Sequence, residues 1–218
     1  MPPRNAALAV PRIGAPDLPR VLTEVSGLHA DEIFQLRFTA LEAQTDASHL
    51  SISECAVSPL AIEVLDLTGA SVVDVDITEL RATQVRARGA RWRRVRLTGG
   101  RIGTLDLADA DVDEVELDGV RIDYVSLAGA RVADLRVRGC TLGAVDVPQA
   151  TLTRTAFVDT SADEVDTRAL TATHLDLRGL DAGAFLDPTA LRGATLAPWQ
   201  VERLAPAFAA ALGIRVQD

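Results

Sequence analysis

The sequence predicts an all-β solenoid, a four-sided β-helix with about 20 residues per coil. From Leu50 to Asp187, apolar or small residues fill the first and third places of nearly every five, and mostly polar residues or glycine fill the rest. An amphipathic helix would repeat at 3.6 residues and a flat strand at two, so a period of five indicates a chain that turns a corner every five residues. Alanine also recurs at 70, 90, 110, 130 and 150, and stacking like on like gives four sides per coil.

The third place of each five is predicted to point inward, and its register does not slip along the repeat. The predicted inward centres are Ile52, Val57, Ile62, Leu67, Val72, Ile77, Leu97, Ile102, Leu107, Val112, Leu117, Ile122, Leu127, Val132, Val137, Leu142, Val147 and Leu152. Glycine recurs at the fifth place, for example at 69, 89 and 129, where a corner needs positive φ. Trp92 is the one oversized inward residue, and we expect Ala82 and Ala87 to make room for it.

Units such as LDLAD at 105–109 and ADVDE at 110–114 resemble the pentapeptide repeat family, whose units read roughly A-(D/N)-L-x-x. The resemblance covers about two-thirds of the chain. It implies a right-handed, four-sided β-helix. The first place is Val or Leu in about half of the units and the repeats contain no Asn, so we expect some sides to be wider than in alanine-only members.

Four segments follow from the pattern. Residues 1–20, rich in proline and small residues, are expected to be loosely ordered. Residues 21–49 form an N-terminal cap with a first irregular coil, because Leu28, Ile33, Phe38 and Ala43 are five apart but one residue out of register, an offset that Gln44 to His49 would absorb. Residues 50–189 form about seven coils of the repeat.

Residues 190–218 are predicted to close the C-terminal end as one or two short helices. Pro198 and Pro206 each suit the first position of a helix, and Gly213 suits the position just past the end of one. An apolar stripe is predicted to face the rod. It consists of Val201, Leu204, Phe208 and Leu212. The family resemblance implies that such a C-terminal addition can make a homodimer.

Little in the sequence suggests catalysis, a cofactor or a metal. Cys55 and Cys140 occupy inward places about four coils apart, too far for a disulfide, so we interpret them as core thiols in a reducing compartment. His29, His49 and His174 share no metal-ligand spacing with one another or with cysteine. Without an apolar run of about 18 residues or a signal peptide, the chain is expected to be cytoplasmic and away from membranes.

Charge is distributed unevenly. The chain carries a net charge of −9, with 22 arginines and no lysine. Residues 81–101 nevertheless contain 8 arginines and no acid. Most of these arginines would pair with acids 20 residues away on the neighbouring coil, which contributes about 0.2–1 kcal/mol per pair. Four arginines, three in this stretch and one on the next coil, have no acid directly above or below, and they are the candidate docking belt for a partner. They are Arg81, Arg88, Arg101 and Arg121.

Two classes of function fit these observations. The first is a non-enzymatic scaffold that binds an unknown protein partner on its outer surface. The second comes from the resemblance: some pentapeptide repeat proteins imitate duplex DNA, bind type II topoisomerases such as DNA gyrase, and protect against fluoroquinolones. The arginine belt argues against the second, because it interrupts the negative surface that a DNA mimic needs. An enzyme and a direct nucleic-acid binder are both disfavoured, the latter by the net negative charge.

Overall fold

A computed structural model describes residues 7–28 and 32–216, and it shows a parallel β-solenoid of about eight coils. The strands, in chain order, are β1 (Thr23–Ser26), β2 (Glu32–Phe34), β3 (Leu36–Ala40), β4 (Gln44–Asp46), β5 (Ser51–Val57), β6 (Ala61–Asp66), β7 (Ser71–Thr78), β8 (Arg81–Arg86) and β9 (Arg91–Thr98). They continue with β10 (Arg101–Asp106), β11 (Asp111–Asp118), β12 (Arg121–Ser126), β13 (Arg131–Arg138), β14 (Thr141–Asp146), β15 (Thr151–Val158), β16 (Thr160–Asp166), β17 (Thr171–Asp176) and β18 (Leu180–Phe185). A 3₁₀-helix, Pro188–Leu191, and one α-helix, α1 (Pro198–Ala211), follow.

The strands form two parallel sheets, and each sheet wraps two of the four sides. One sheet has the order β1-β3-β5-β7-β9-β11-β13-β15-β17, with β2 beside β5, and the other runs from β4 through the even-numbered strands to β18. A positive φ inside each long strand makes the bend, as at Asp74 with φ 55° in β7. Further corners with positive φ lie at Glu79 and Gly89, which follow Asp74 by five and fifteen residues. These corners confirm the five-residue sides that the sequence predicts.

The stacking register is 20 residues, as predicted. Ile102 pairs with Ala82 on one neighbouring coil and with Ile122 on the other, and Val112 pairs with Trp92 and Val132. The first and third places of the fives form the core: Ile102 and Ile122 have no measurable exposure. Burying such side chains supplies roughly 1.5–3 kcal/mol each before the loss of chain entropy is counted.

Trp92 is buried in this core, 1% exposed, and Ala82 and Ala87 are buried as well. Within the described residues, the indole nitrogen of Trp92 has no hydrogen-bond partner, which accords with an apolar surrounding. That the two alanines make room for the ring stays a prediction.

The N-terminal coil confirms the one-residue offset but moves its position. Ile33 pairs with Ile52 and Phe38 pairs with Val57, each 19 residues apart, whereas Thr45 pairs with Leu65 at 20. This coil is therefore one residue shorter than the next between Phe38 and Gln44, which places the register change just before the predicted Gln44–His49 stretch. Ala43, which the pattern placed inward, is exposed, because the chain swings outward before β4 resumes the main register.

Residues 7–20, which we call the strap, differ from the loosely ordered segment that their composition predicts. They lie along the side of the rod and are held by three backbone N–H groups. The N–H of Asp17 donates to Asp74 Oδ1 at 3.0 Å, and that of Arg12 donates to Asp134 Oδ1 at 2.9 Å. The N–H of Ala9 donates to His174 Nδ1 at 3.2 Å. The expectation for residues 1–6 lies outside the described part of the chain.

The C-terminal cap is one continuous helix, α1, with Pro206 inside it and Pro198 in its first turn. Of the one or two helices predicted, one forms: Pro206 does not begin a second helix, while Gly213, with φ 72°, does follow the helix end. Gln200 is 2% exposed, and its Nε2 donates to the carbonyls of Leu177 and Leu180 at 2.7 Å each. The carbonyl of Leu177 also accepts the N–H of Leu180 at 2.9 Å, so the side chain of Gln200 adds a second bond there and ties the helix to the end of the last coil.

Only half of the predicted apolar stripe on α1 faces the rod. Leu204 is buried and Phe208 packs against the core, but Val201 and Leu212 are 46% and 74% exposed. Trp199 is also largely exposed, beneath the Arg203 guanidinium at 5.0 Å. The C-terminal homodimer implied by the resemblance stays a prediction; it would use these exposed side chains, and sedimentation velocity would measure it.

Candidate interaction surface

The outward positions of the coils are mostly paired across neighbouring strands. Arg94 donates two hydrogen bonds of 2.6 Å to Asp74, and Arg154 donates two of 2.6 Å to Asp134. These contacts hold the pKa of both aspartates below the ordinary value, because each carboxylate accepts two bonds from a cation. Most of the arginine-rich stretch is therefore neutralised within the rod.

Several of the predicted arginine pairs are confirmed. Arg86 lies 3.7 Å from Asp66, Arg93 lies 4.0 Å from Asp113, and Arg96 lies 3.6 Å from Glu116. In the 20-residue register Arg91 is opposite Asp111, but the carboxylate of Asp111 bonds Arg131 on the other neighbouring coil at 2.7 Å.

Three arginines form a ladder of like charge on β8, β10 and β12. Arg101 is directly opposite both Arg81 and Arg121, so the three side chains stack at about 4.8 Å per coil. We call Arg81, Arg101 and Arg121 the arginine ladder. It is the longest run of like charge in one column of the seven regular coils. Like charges directly opposite on neighbouring strands are destabilising, which distinguishes this column from the paired ones.

A single carboxylate partly compensates the ladder. Asp123 accepts from Arg101 at 2.9 Å and from Arg121 at 3.4 Å, and its pKa is lowered chiefly by the bond from Arg101. Arg81 has no ion pair within 7–28 and 32–216. The arginines at 101 and 121 keep 60% of their side-chain surface exposed, so the ladder remains accessible to a partner.

The ladder borders an open groove of about 710 Å³. Small residues make room for it: Ala82, Gly100 and Gly103 lie along its wall. A β-carbon on Gly103 would meet the carbonyl oxygen of Thr83 at 2.5 Å, so the chain is closely packed here and the groove has a rigid wall. Glu79 lies at one side of the groove and Asp123 at the other.

Arg88 does not join the ladder. It lies in the turn after β8, on another side of the rod, and bonds Asp109 at 2.9 Å and Asp106 at 3.8 Å on the following coil. These partners are diagonal to Arg88, so the 20-residue register alone does not reveal them. The structure therefore brings together three of the four predicted belt residues.

The cysteine and histidine side chains, which were the candidates for chemistry, make structural contacts. Cys55 and Cys140 are buried free thiols, and burial raises the pKa of each. Both thiols donate hydrogen bonds to backbone carbonyl oxygens; the thiol of Cys140, for example, donates to the carbonyl of Leu117. The ring of His174 accepts a hydrogen bond from the backbone N–H of Ala9 in the strap. His29 lies outside the described residues. Within 7–28 and 32–216, no group of three His, Cys, Asp or Glu could hold a metal ion.

Interior voids of the rod are small and apolar, about 20, 40 and 30 Å³ for three that are lined by core residues. Among the described helices, none is long and apolar enough to cross a membrane.

Comparison with protein-family models and with curated proteins gave no match. Several solved structures are similar, among them the following two. One is HetL, a pentapeptide repeat protein involved in heterocyst differentiation regulation from the cyanobacterium Nostoc sp. strain PCC 7120, with 17% identity over 80% of this chain and 84% of that chain and a TM-score of 0.30. The other is QnrB1, a plasmid-mediated fluoroquinolone resistance protein, with 14% identity over 91% of this chain and 100% of that chain and a TM-score of 0.29. Likeness at this level carries no argument about function.

Proposed function

We propose that this chain, a pentapeptide-repeat β-helix, is a non-enzymatic cytoplasmic scaffold that binds an acidic protein partner at the arginine ladder. The observation that carries the proposal is the ladder itself. Three arginines are stacked in one column, whereas other columns of the rod alternate in sign, such as the one with Arg96, Glu116 and Arg136. A stability cost retained at one exposed site is typical of a binding surface.

The geometry of the ladder suits carboxylates of a partner. Guanidinium groups bind carboxylates through paired hydrogen bonds, and three of them in line offer several such contacts. Arg81 and Arg121 are about 9.6 Å apart by strand spacing. On binding, Arg101 and Arg121 would lose part of their contact with Asp123. New contacts with the carboxylates of the partner would offset that loss.

The test is a pull-down from extract of the source cells, comparing the wild type with the triple variant Arg81→Glu/Arg101→Glu/Arg121→Glu. We expect the variant to lose the captured partner, with at least about a tenfold loss of affinity when that partner is titrated, because attraction becomes repulsion at three sites. The matched control is Arg20→Glu/Arg192→Glu/Arg215→Glu, which makes the same change in net charge at three exposed arginines elsewhere. Equal capture by the wild type and both variants would refute the docking surface.

A second candidate is the topoisomerase-binding DNA mimic. One observation favours it: Asp146, Asp163 and Glu164 lie on neighbouring strands β14 and β16 without an arginine partner in the described part of the rod. These acids give the C-terminal half a more negative side than the N-terminal half. A gyrase supercoiling assay with and without a fluoroquinolone separates the candidates. Inhibition or drug protection below micromolar protein would replace the scaffold proposal, whereas we expect no effect at about ten micromolar or above.

A further inference from the structure

The strap lies over one column of corners, and that column is charged from end to end. It consists of Glu54, Asp74, Arg94, Glu114, Asp134, Arg154 and His174. We call it the charged corner column. Each of its residues has a positive φ, for example 55° at Asp74, 53° at Asp134 and 57° at His174. Non-glycine residues adopt this backbone region at a cost, although Asp and His do so more readily than most. The corner places their side chains outward, toward the strap.

The strap fits the length of this column. From Asp74 to His174 is 100 residues, or five coils, which is about 24 Å along the rod. The matching donors are Asp17 and Ala9, eight residues apart, and an extended polyproline-type chain covers about 25 Å in eight residues. Pro11 and Pro16 favour that extended backbone. The strap therefore runs antiparallel to the order of the coils. Its extended length matches the five coils that it spans.

The acceptors are fixed without help from the strap. Asp74 and Asp134 are 8% and 7% exposed at the side chain, and each is held by two hydrogen bonds from the arginine on the next coil. An acceptor that is already oriented loses little freedom when a peptide N–H reaches it. Gly14 also lies beside the column, where a β-carbon would come within 3.1 Å of Glu114 Oε2. The column thus offers preorganised acceptors along a narrow path.

We propose that the charged corner column is a binding track for an extended, proline-containing peptide, and that residues 7–20 fill it in cis. The track recognises backbone N–H groups at set spacings, at positions equivalent to 9, 12 and 17. It accepts the same peptide in trans when the cis strap is detached. Its ligand class is therefore a peptide, distinct from the acidic partner of the arginine ladder, and the proposal stands independently of that function.

The test uses the full chain with two donors removed, the Ala9→Pro/Arg12→Pro variant. Proline lacks the N–H and keeps the extended backbone, so the strap detaches while the track stays intact. A fluorescent peptide with the sequence of residues 7–20 is titrated against it and followed by anisotropy. We expect the peptide to bind this variant at least about tenfold more tightly than it binds the wild type, whose strap competes.

Two controls make the result specific. Val10→Pro removes an N–H that has no hydrogen-bond partner among residues 7–28 and 32–216, at a residue 70% exposed, so this variant should behave as the wild type does. A peptide carrying proline at the positions of Ala9 and Arg12 should not bind the double variant. Equal binding of the peptide to wild type and double variant, or no binding to either, would overturn the proposal.

An independent measurement on the unmodified chain covers the case in which the double variant misfolds. Amide hydrogen exchange by NMR should be slower at Ala9, Arg12 and Asp17 than at Val10. In Asp134→Leu, exchange at Arg12 should accelerate at least about tenfold, since its acceptor is lost. Exchange at Arg12 as fast as at Val10 in the wild type would show that the strap does not occupy the track.

Discussion

Replacing Gly100 by alanine is expected to lower the free energy of unfolding by more than about 4 kcal/mol. Gly100 has a φ of 86°, and a β-carbon built there would lie 2.2 Å from the carbonyl oxygen of Leu80 and 2.7 Å from its nitrogen. Leu80 cannot retreat, because that same oxygen accepts the N–H of Arg101 at 2.9 Å. Relieving the clash would pull neighbouring coils apart and break their shared ladder of hydrogen bonds.

The matched control is Gly89→Ala. Gly89 also has a positive φ, 64°, but a β-carbon there would meet nothing within 4 Å. It should therefore lose only about 1 kcal/mol, the usual strain of an alanine in the left-handed region. Urea denaturation followed by far-UV circular dichroism measures both variants. A similar small loss in the two would show that the coils can spread at Gly100 without breaking their hydrogen bonds.

The repeat could be predicted in full because its signal is periodic. Residues 20 apart stack on one another, so a pattern that keeps the same residue class at i and i+20 encodes the register directly. The pairings of Ile102 with Ala82 and Ile122 follow from that pattern alone. A one-residue slip would have reversed the inward and outward faces, and the buried side chains show that none occurs within the regular coils.

The strap could not be predicted because its contacts leave no periodic trace. Arg12 meets Asp134 across 122 residues through a backbone N–H, which every residue except proline carries. Its small residues and prolines indicate loose order when considered alone. The only sequence signal for this contact is the column of acceptor residues on the rod. Its corners have positive φ, which glycine adopts without strain, yet they carry charged residues instead.

Within the candidate site, the arginine ladder follows from the 20-residue register, but the groove does not. Gly103 and Ala82 appear in the sequence only as small residues within the repeat, and the space beside the ladder arises from both together. Arg88 has no acid directly above or below, as predicted, but its partners Asp106 and Asp109 lie diagonally, at offsets of 18 and 21 residues. Long arginine side chains reach such neighbours, so pairing judged by register alone overestimates unpaired charge.

Acid should remove part of the stability of the rod through buried aspartates such as Asp134. Its carboxylate accepts two bonds from Arg154, which lower its pKa in the folded chain below the unfolded value of about 3.9. A depressed folded pKa means that the stabilisation is fully present above the unfolded pKa and is lost as pH falls through the folded one. The free energy of unfolding should therefore decrease below about pH 4, with Asp74 contributing in the same direction.

The Asp134→Asn variant isolates this contribution. Asparagine tolerates the positive φ and can still accept the N–H of Arg12, but it cannot neutralise Arg154. We expect the variant to be about 2 kcal/mol less stable than the wild type at neutral pH, because a nearly buried ion pair is broken. The difference should shrink toward zero as the pH falls below the depressed pKa, since protonated aspartic acid is also uncharged.

The control is Asp113→Asn, which breaks an exposed pair of 4.0 Å with Arg93 and should change stability by less than about 0.5 kcal/mol at any pH. A loss in Asp134→Asn that is equally large in acid and at neutral pH would mean that shape, and not charge, holds this corner.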